Sequence, residues 1–88
     1  MAPYELRLTP SSERSLIVLP ESAAAAIVEF LTGALLAEPH RVGKPLMREL
    51  SGYLAARRGP YRVIYRVDDE RKTVSVLRID HRADVYRR

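Results

Sequence analysis

The 88-residue chain contains no cysteine. Disulfides and thiolate metal centres are therefore excluded. His40 and His81 are the only histidines, too few for a histidine-based metal centre. No metal or other cofactor is expected, and carboxylate ligation is the one metal chemistry left open. No apolar run approaches the roughly 20 residues needed to cross a bilayer. The N-terminus lacks the basic segment and apolar stretch of a secretion signal, so no membrane association is expected and the expected location is the cytoplasm. Repeats and low-complexity segments are also missing. The length suits one domain over residues 1–88. A chain this short buries only about 60–65% of the surface its unfolded form exposes, so its stability margin is thin.

What is present is positive charge, unevenly placed. The net charge is +4. Residues 1–40 carry two basic side chains against five acidic ones. Residues 41–66 carry seven basic side chains (Arg41, Lys44, Arg48, Arg57, Arg58, Arg62, Arg66) against Glu49 alone. A solvated basic face and a nucleic-acid footprint both fit that concentration.

Local patterns predict an α+β domain in the order β-α-α-β-β-β. Residues 4–9 alternate as a first strand. Thr9 is a candidate N-cap, with Pro10 in the first turn and Glu13 close behind. Leu16, Ile17 and Leu19 supply the apolar side of this short helix, and Pro20 ends it. A second helix runs from Pro20 to about Glu38, with Ala24, Ile27, Val28, Leu31 and Leu35 as its core stripe, widened by Ala23, Ala26, Phe30, Ala34 and Ala37. Gly33 marks either close packing or a break. Residues 39–45 read as loop. Strands are predicted over 53–58, 61–67 and 73–80, joined by short turns into an antiparallel meander. The expected architecture is a small two-layer domain: a helical hairpin packed on a mainly antiparallel four-stranded sheet.

The segment from Arg57 to Arg66 holds four arginines in ten residues. Strand alternation puts Arg62, Ile64 and Arg66 on one face and Tyr61, Val63, Tyr65 and Val67 on the other. The second set suits the core, with Tyr61 and Tyr65 as core aromatics. The first set suits a cationic surface. A hairpin centred on Glu70 would place Arg62 opposite Arg78.

Three groups are candidates for one site: Arg57, Arg62, Arg66 and Arg78 on the strands; Arg41, Lys44 and Arg48 in the preceding link; and His81, Arg82 and Tyr86 at the C-terminus. Arginine forks suit the non-bridging oxygens of an RNA phosphate. An imidazole and a phenol suit proton transfer. Cleavage by attack of the 2′-hydroxyl on the adjacent phosphorus needs a base, an acid and cations, and no enzyme nucleophile. The plain alternatives stay open: Arg66 as solvated charge, His81 as a surface or anchoring residue, Tyr86 as packing.

Four segments in this order, Gly43-Lys44-Pro45-Leu46, Leu50-Ser51-Gly52-Tyr53, Ala56 to Tyr65, and Asp80 to Tyr86, resemble the RelE branch of the RelE/ParE toxin superfamily, in particular mycobacterial and related actinobacterial RelE-type toxins. The resemblance implies a type II toxin that cuts mRNA in the A site of the 70S ribosome without metal. It implies a RelB-like antitoxin as partner, and operator DNA reached only through that complex. By position, Arg62 corresponds to the arginine that stabilises the transition state. His81 and Arg82 fall in the region of the second cation or acid, and Tyr86 matches the tyrosine that positions the nucleotide. Lys44, Arg48, Arg57 and Arg78 are the remaining RNA-binding candidates. The family's second-strand lysines are replaced by Tyr53 and Ala55, which leaves the base among Lys44, Arg48 and His81 or leaves catalysis weak. The same superfamily holds ParE-like inhibitors of DNA gyrase, and an inactive co-repressor is a further alternative.

Overall fold

The computed structural model describes residues 4–81. Strand β1 (Glu5–Leu8) leads into α1 (Pro10–Val18) and α2 (Glu21–Thr32). A short α3 (Ala34–Ala37) and a two-residue β2 (Lys44–Pro45) follow, then a 3-10 turn (Arg48–Leu50). The described residues end with β3 (Leu54–Arg58), β4 (Tyr61–Asp68) and β5 (Thr73–His81). The sheet has five strands in the order β1-β5-β4-β3-β2. One more strand is present than the sequence predicts. Lys44 and Pro45, expected in a loop, pair antiparallel with Ala55 and Leu54. Pro45 has no N–H to donate, and the sheet edge is where a proline is tolerated.

The expected cap is formed: the Thr9 side chain accepts from the Ser12 amide at 3.1 Å. Its hydroxyl also donates to the Leu77 carbonyl at 2.6 Å, which fastens the start of α1 to β5. Gly33 is a break, ending α2 and starting α3. The helical core stripe is close to the expected one. Ile27, Phe30, Leu31, Leu35 and Leu36 are buried, whereas Val28 is exposed. On α1, Leu16 and Leu19 pack on the core, but Ile17 points to solvent. The remaining core comes from the sheet: Ala56, Val63, Tyr65, Val74, Val76 and Ile79.

Two local features set which side chains reach the opposite face. Gly59 adopts φ 59°, the sign a two-residue hairpin needs at its first central position, and Pro60 follows as the second. This turn pairs Arg58 with Tyr61 and Arg57 with Arg62. The second feature is a bulge between β4 and β5. Ile64 pairs with Arg78 but Tyr65 pairs with Val76, so Leu77 is the extra residue. Strict alternation would send Ile79 to the face opposite Val74 and Val76. The extra residue resets the alternation. Val74, Val76 and Ile79 then all join the core, and Arg78 and Asp80 turn to the other side. The Thr9 hydroxyl bonds the carbonyl at that bulge.

The register corrects one expectation. Arg62 stands opposite Asp80, and Arg78 stands opposite Ile64. The four-residue turn at 69–72 and the bulge together move the pairing away from a hairpin centred on Glu70.

Candidate functional site

Directly opposed residues in antiparallel strands share a face. Three rows therefore cross the sheet face that the helices leave uncovered. Arg57, Arg62 and Asp80 form the first. Lys44, Ala55, Ile64 and Arg78 form the second. Arg66 and Ser75 belong to the third, where the Arg66 guanidinium lies 5.7 Å from the Tyr53 ring centroid. Ile64 is fully buried at the centre of this face, so β4 is not divided as simply as alternation suggests.

The first row is the electrostatic oddity. Arg57 and Arg62 are direct cross-strand partners, an arrangement that destabilises a sheet. The Arg62 Nε is buried without a hydrogen-bond partner. The carboxylate on that row is taken elsewhere: Asp80 Oδ2 accepts from Arg78 Nε at 3.0 Å. Two arginines thus start side by side on one face, and an anion with several acceptor oxygens could be bound by both guanidiniums.

Several predicted residues join this face and others do not. Arg57, Arg62, Arg78 and Lys44 share it. Arg48 sits in the 3-10 turn before β3 with φ 61°, exposed and outside the strand rows. Arg58 belongs to the helix side, its guanidinium 5.0 Å from the Phe30 ring centroid. His81 also lies on that side, opposite Tyr61, with the two rings edge-on at 5.1 Å. Arg82 and Tyr86 lie outside the described residues. Asp80 was missed by sequence reasoning, because its position beside Arg62 depends on the bulge. Tyr53 is more than a missing lysine: it is an aromatic surface beside Arg66 on the open face.

The opposite end of the sheet carries a different cluster. Asp69 accepts from the Tyr4 hydroxyl at 2.7 Å and contacts His40 Nε2 at 2.9 Å. The Tyr4 hydrogen bond, then that of His40, holds the Asp69 carboxyl below its ordinary range. Behind it, the buried Tyr65 hydroxyl donates to the Pro39 carbonyl at 2.6 Å. Burial pushes that phenol up to about 12. These contacts tie the 38–42 loop to the sheet.

A family model described as the ParE toxin of the type II toxin–antitoxin system parDE matches residues 6–86. The chain is 58% identical over 86 residues to Toxin RelG of Mycobacterium tuberculosis, covering 98% of this chain and 99% of that protein. This chain belongs to the RelE/ParE toxin family. It is 48% identical to Toxin RelE of the same organism over 85 residues, covering 97% and 88% of the two chains. The crystal structure of the M. tuberculosis toxin–antitoxin complex RelBE2 superposes with a TM-score of 0.88 at 57% identity, over 96% of this chain and 97% of the matched one. The protein is thus a type II toxin of RelE type. In its α+β fold, helices pack on a mixed, mainly antiparallel sheet. Among the described residues, no helix is long and apolar enough to cross a membrane.

Proposed function

We propose that this RelE-type toxin is a metal-independent endoribonuclease that cuts mRNA in the ribosomal A site by attack of the 2′-hydroxyl on the neighbouring phosphorus. The observation that carries this is the directly opposed Arg57–Arg62 pair with its unpartnered, buried Nε. A sheet gains nothing from that juxtaposition, whereas a phosphorane gains two preorganised cations. Arg62 stabilises the charge that develops on the non-bridging oxygens, and Arg57 anchors the same phosphate. Lys44, Arg48 and Arg78 follow the RNA backbone. Arg82 supplies the acid or a further cation and Tyr86 positions the nucleotide, whereas His81, which faces the helix side with Tyr61, is not assigned to this phosphate. A RelB-like antitoxin neutralises the toxin, and the pair reaches operator DNA together. The site of action is the cytoplasm, where ribosomes are.

Arg62→Ala tests this. Loss of one preorganised donor of this kind costs roughly 100–1,000-fold in rate. The variant is expected to stop arresting growth and to leave mRNA uncut, while still binding the antitoxin. Growth arrest equal to wild type would refute the assignment. The family model's description as a ParE toxin supports one rival, a gyrase inhibitor that performs no chemistry. Mapping cut sites after induction separates the two: a nuclease leaves mRNA ends, and a gyrase poison leaves DNA breaks.

A further inference from the structure

The endoribonuclease reading leaves one role without an occupant among the family's usual positions. Tyr53 and Ala55 stand where lysines are expected, and neither an amine nor an imidazole lies on the first row of the open face. A carboxylate does. Resting on the endoribonuclease reading, we propose that Asp80 is the general base that takes the proton from the attacking 2′-hydroxyl.

Three observations support the assignment. Asp80 is the direct cross-strand partner of Arg62, so its side chain starts about 5 Å from the start of the arginine and on the same face. Its orientation is set by Arg78, whose Nε donates to Oδ2 at 3.0 Å. Oδ1 accepts no hydrogen bond among the described residues, so it is the oxygen left for substrate. The Arg62 side chain is the longer of the two. A phosphate held on its guanidinium therefore lies above the sheet, and the adjoining ribose hydroxyl falls toward the shorter Asp80. Among the described residues, the charged groups beside Asp80 on this face are cations: Arg62 across the ladder, Arg57 beyond it and Arg78 along its own strand. They offset the repulsion between a carboxylate and a phosphate.

The step balances without a further reagent. The O2′–H proton passes to Oδ1 as the O2′–P bond forms. The P–O5′ bond then breaks, and O5′ takes a proton from an acid or from water. The products are a 2′,3′-cyclic phosphate and a 5′-hydroxyl, and Asp80 returns its proton to solvent.

The test is single-turnover cleavage of ribosome-bound mRNA by wild type, Asp80→Asn and Asp80→Glu, with antitoxin binding as the check of folding. Asp80→Asn is expected to lose roughly 100- to 10,000-fold in the cleavage step, with binding to programmed ribosomes kept. With the carboxylate as base, proton removal does not wait on hydroxide, so the wild-type rate should not climb from neutral into alkaline pH. Without it, hydroxide must remove the proton, so the Asp80→Asn rate should climb about tenfold per pH unit. Asp80→Glu keeps a carboxylate and is expected to cleave at reduced rate, again without that climb. Asp80→Asn cleaving within a few-fold of wild type, or losing ribosome binding with the cleavage step unchanged, would overturn the proposal and leave the nuclease reading intact. If Asp80→Asn fails to fold, an Asp80→Glu rate that climbs with pH also overturns it. A wild-type protein that cuts no mRNA overturns both.

Discussion

Replacing Arg62 with methionine should abolish activity and stabilise the fold. The aliphatic stem of Arg62 is part of the sheet face, and methionine keeps most of that packing. What it removes is the charge facing Arg57 and the buried Nε that has no partner. Relief of a directly opposed like-charge pair contributes roughly 0.2–1 kcal/mol. Removal of an unsatisfied buried donor contributes roughly 1–3 kcal/mol. Arg62 is only partly buried as a residue, so the lower end of each range applies and the net gain is about 1–2 kcal/mol. For a domain of this size, that raises Tm by roughly 4–15 °C. Thermal and urea unfolding of the toxin without antitoxin are the assays, with an unchanged urea slope showing that the unfolded state is not the cause. The like-charge share of the gain should shrink as salt screens the pair. A variant that is less stable than wild type, or equal to it, would refute the claim that Arg57 and Arg62 are held together against the sheet's own preference.

Two further outcomes follow from the buried tyrosine. Its phenol is raised from 10.0 to about 12 by burial, so the folded state keeps a proton that the unfolded state gives up above pH 10. That stabilisation is fully present below pH 10 and is lost as pH rises to about 12, a loss of about 3 kcal/mol. Tyr65→Phe should lack this share of the alkaline loss in denaturation curves, and its neutral stability should fall by roughly 1–3 kcal/mol because the Pro39 carbonyl is left unpaired. Gly43→Ala should destabilise by roughly 1–3 kcal/mol, because its new Cβ would collide with the Tyr65 hydroxyl and lie 3.1 Å from the Ala55 carbonyl oxygen. The same change should cost less in a Tyr65→Phe background, which a double-mutant cycle measures.

The sequence by itself determined the order of elements, and with it most of the fold. Thr9 and Pro10 signalled the start of α1, Pro20 its end, and Gly59-Pro60 a tight hairpin, because these residues act through their own backbone torsions and need no distant partner. Local alternation placed Arg62 and Arg66 away from the core and Val63 and Tyr65 within it. Helical phase was less legible. Ile17 and Val28 are as apolar as the residues that became core, yet both are exposed, because which face of a helix meets the sheet is a tertiary choice.

Tertiary structure decided the composition of the site. One inserted residue, Leu77, reverses the facing of everything after it on β5. Because a strand's side-chain period is two, no local count could reveal which face Arg78 and Asp80 would take. Thr9, nearly seventy residues earlier, hydrogen-bonds the carbonyl at the bulge, so a contact that holds it lies outside the strand it affects. The same dependence on distant partners sent Arg58 to Phe30 on the helix side and turned Lys44 from a loop residue into an edge-strand cation. Residue identity supplied the cations. The ladder register chose which of them face one another, and it set Asp80 beside Arg62.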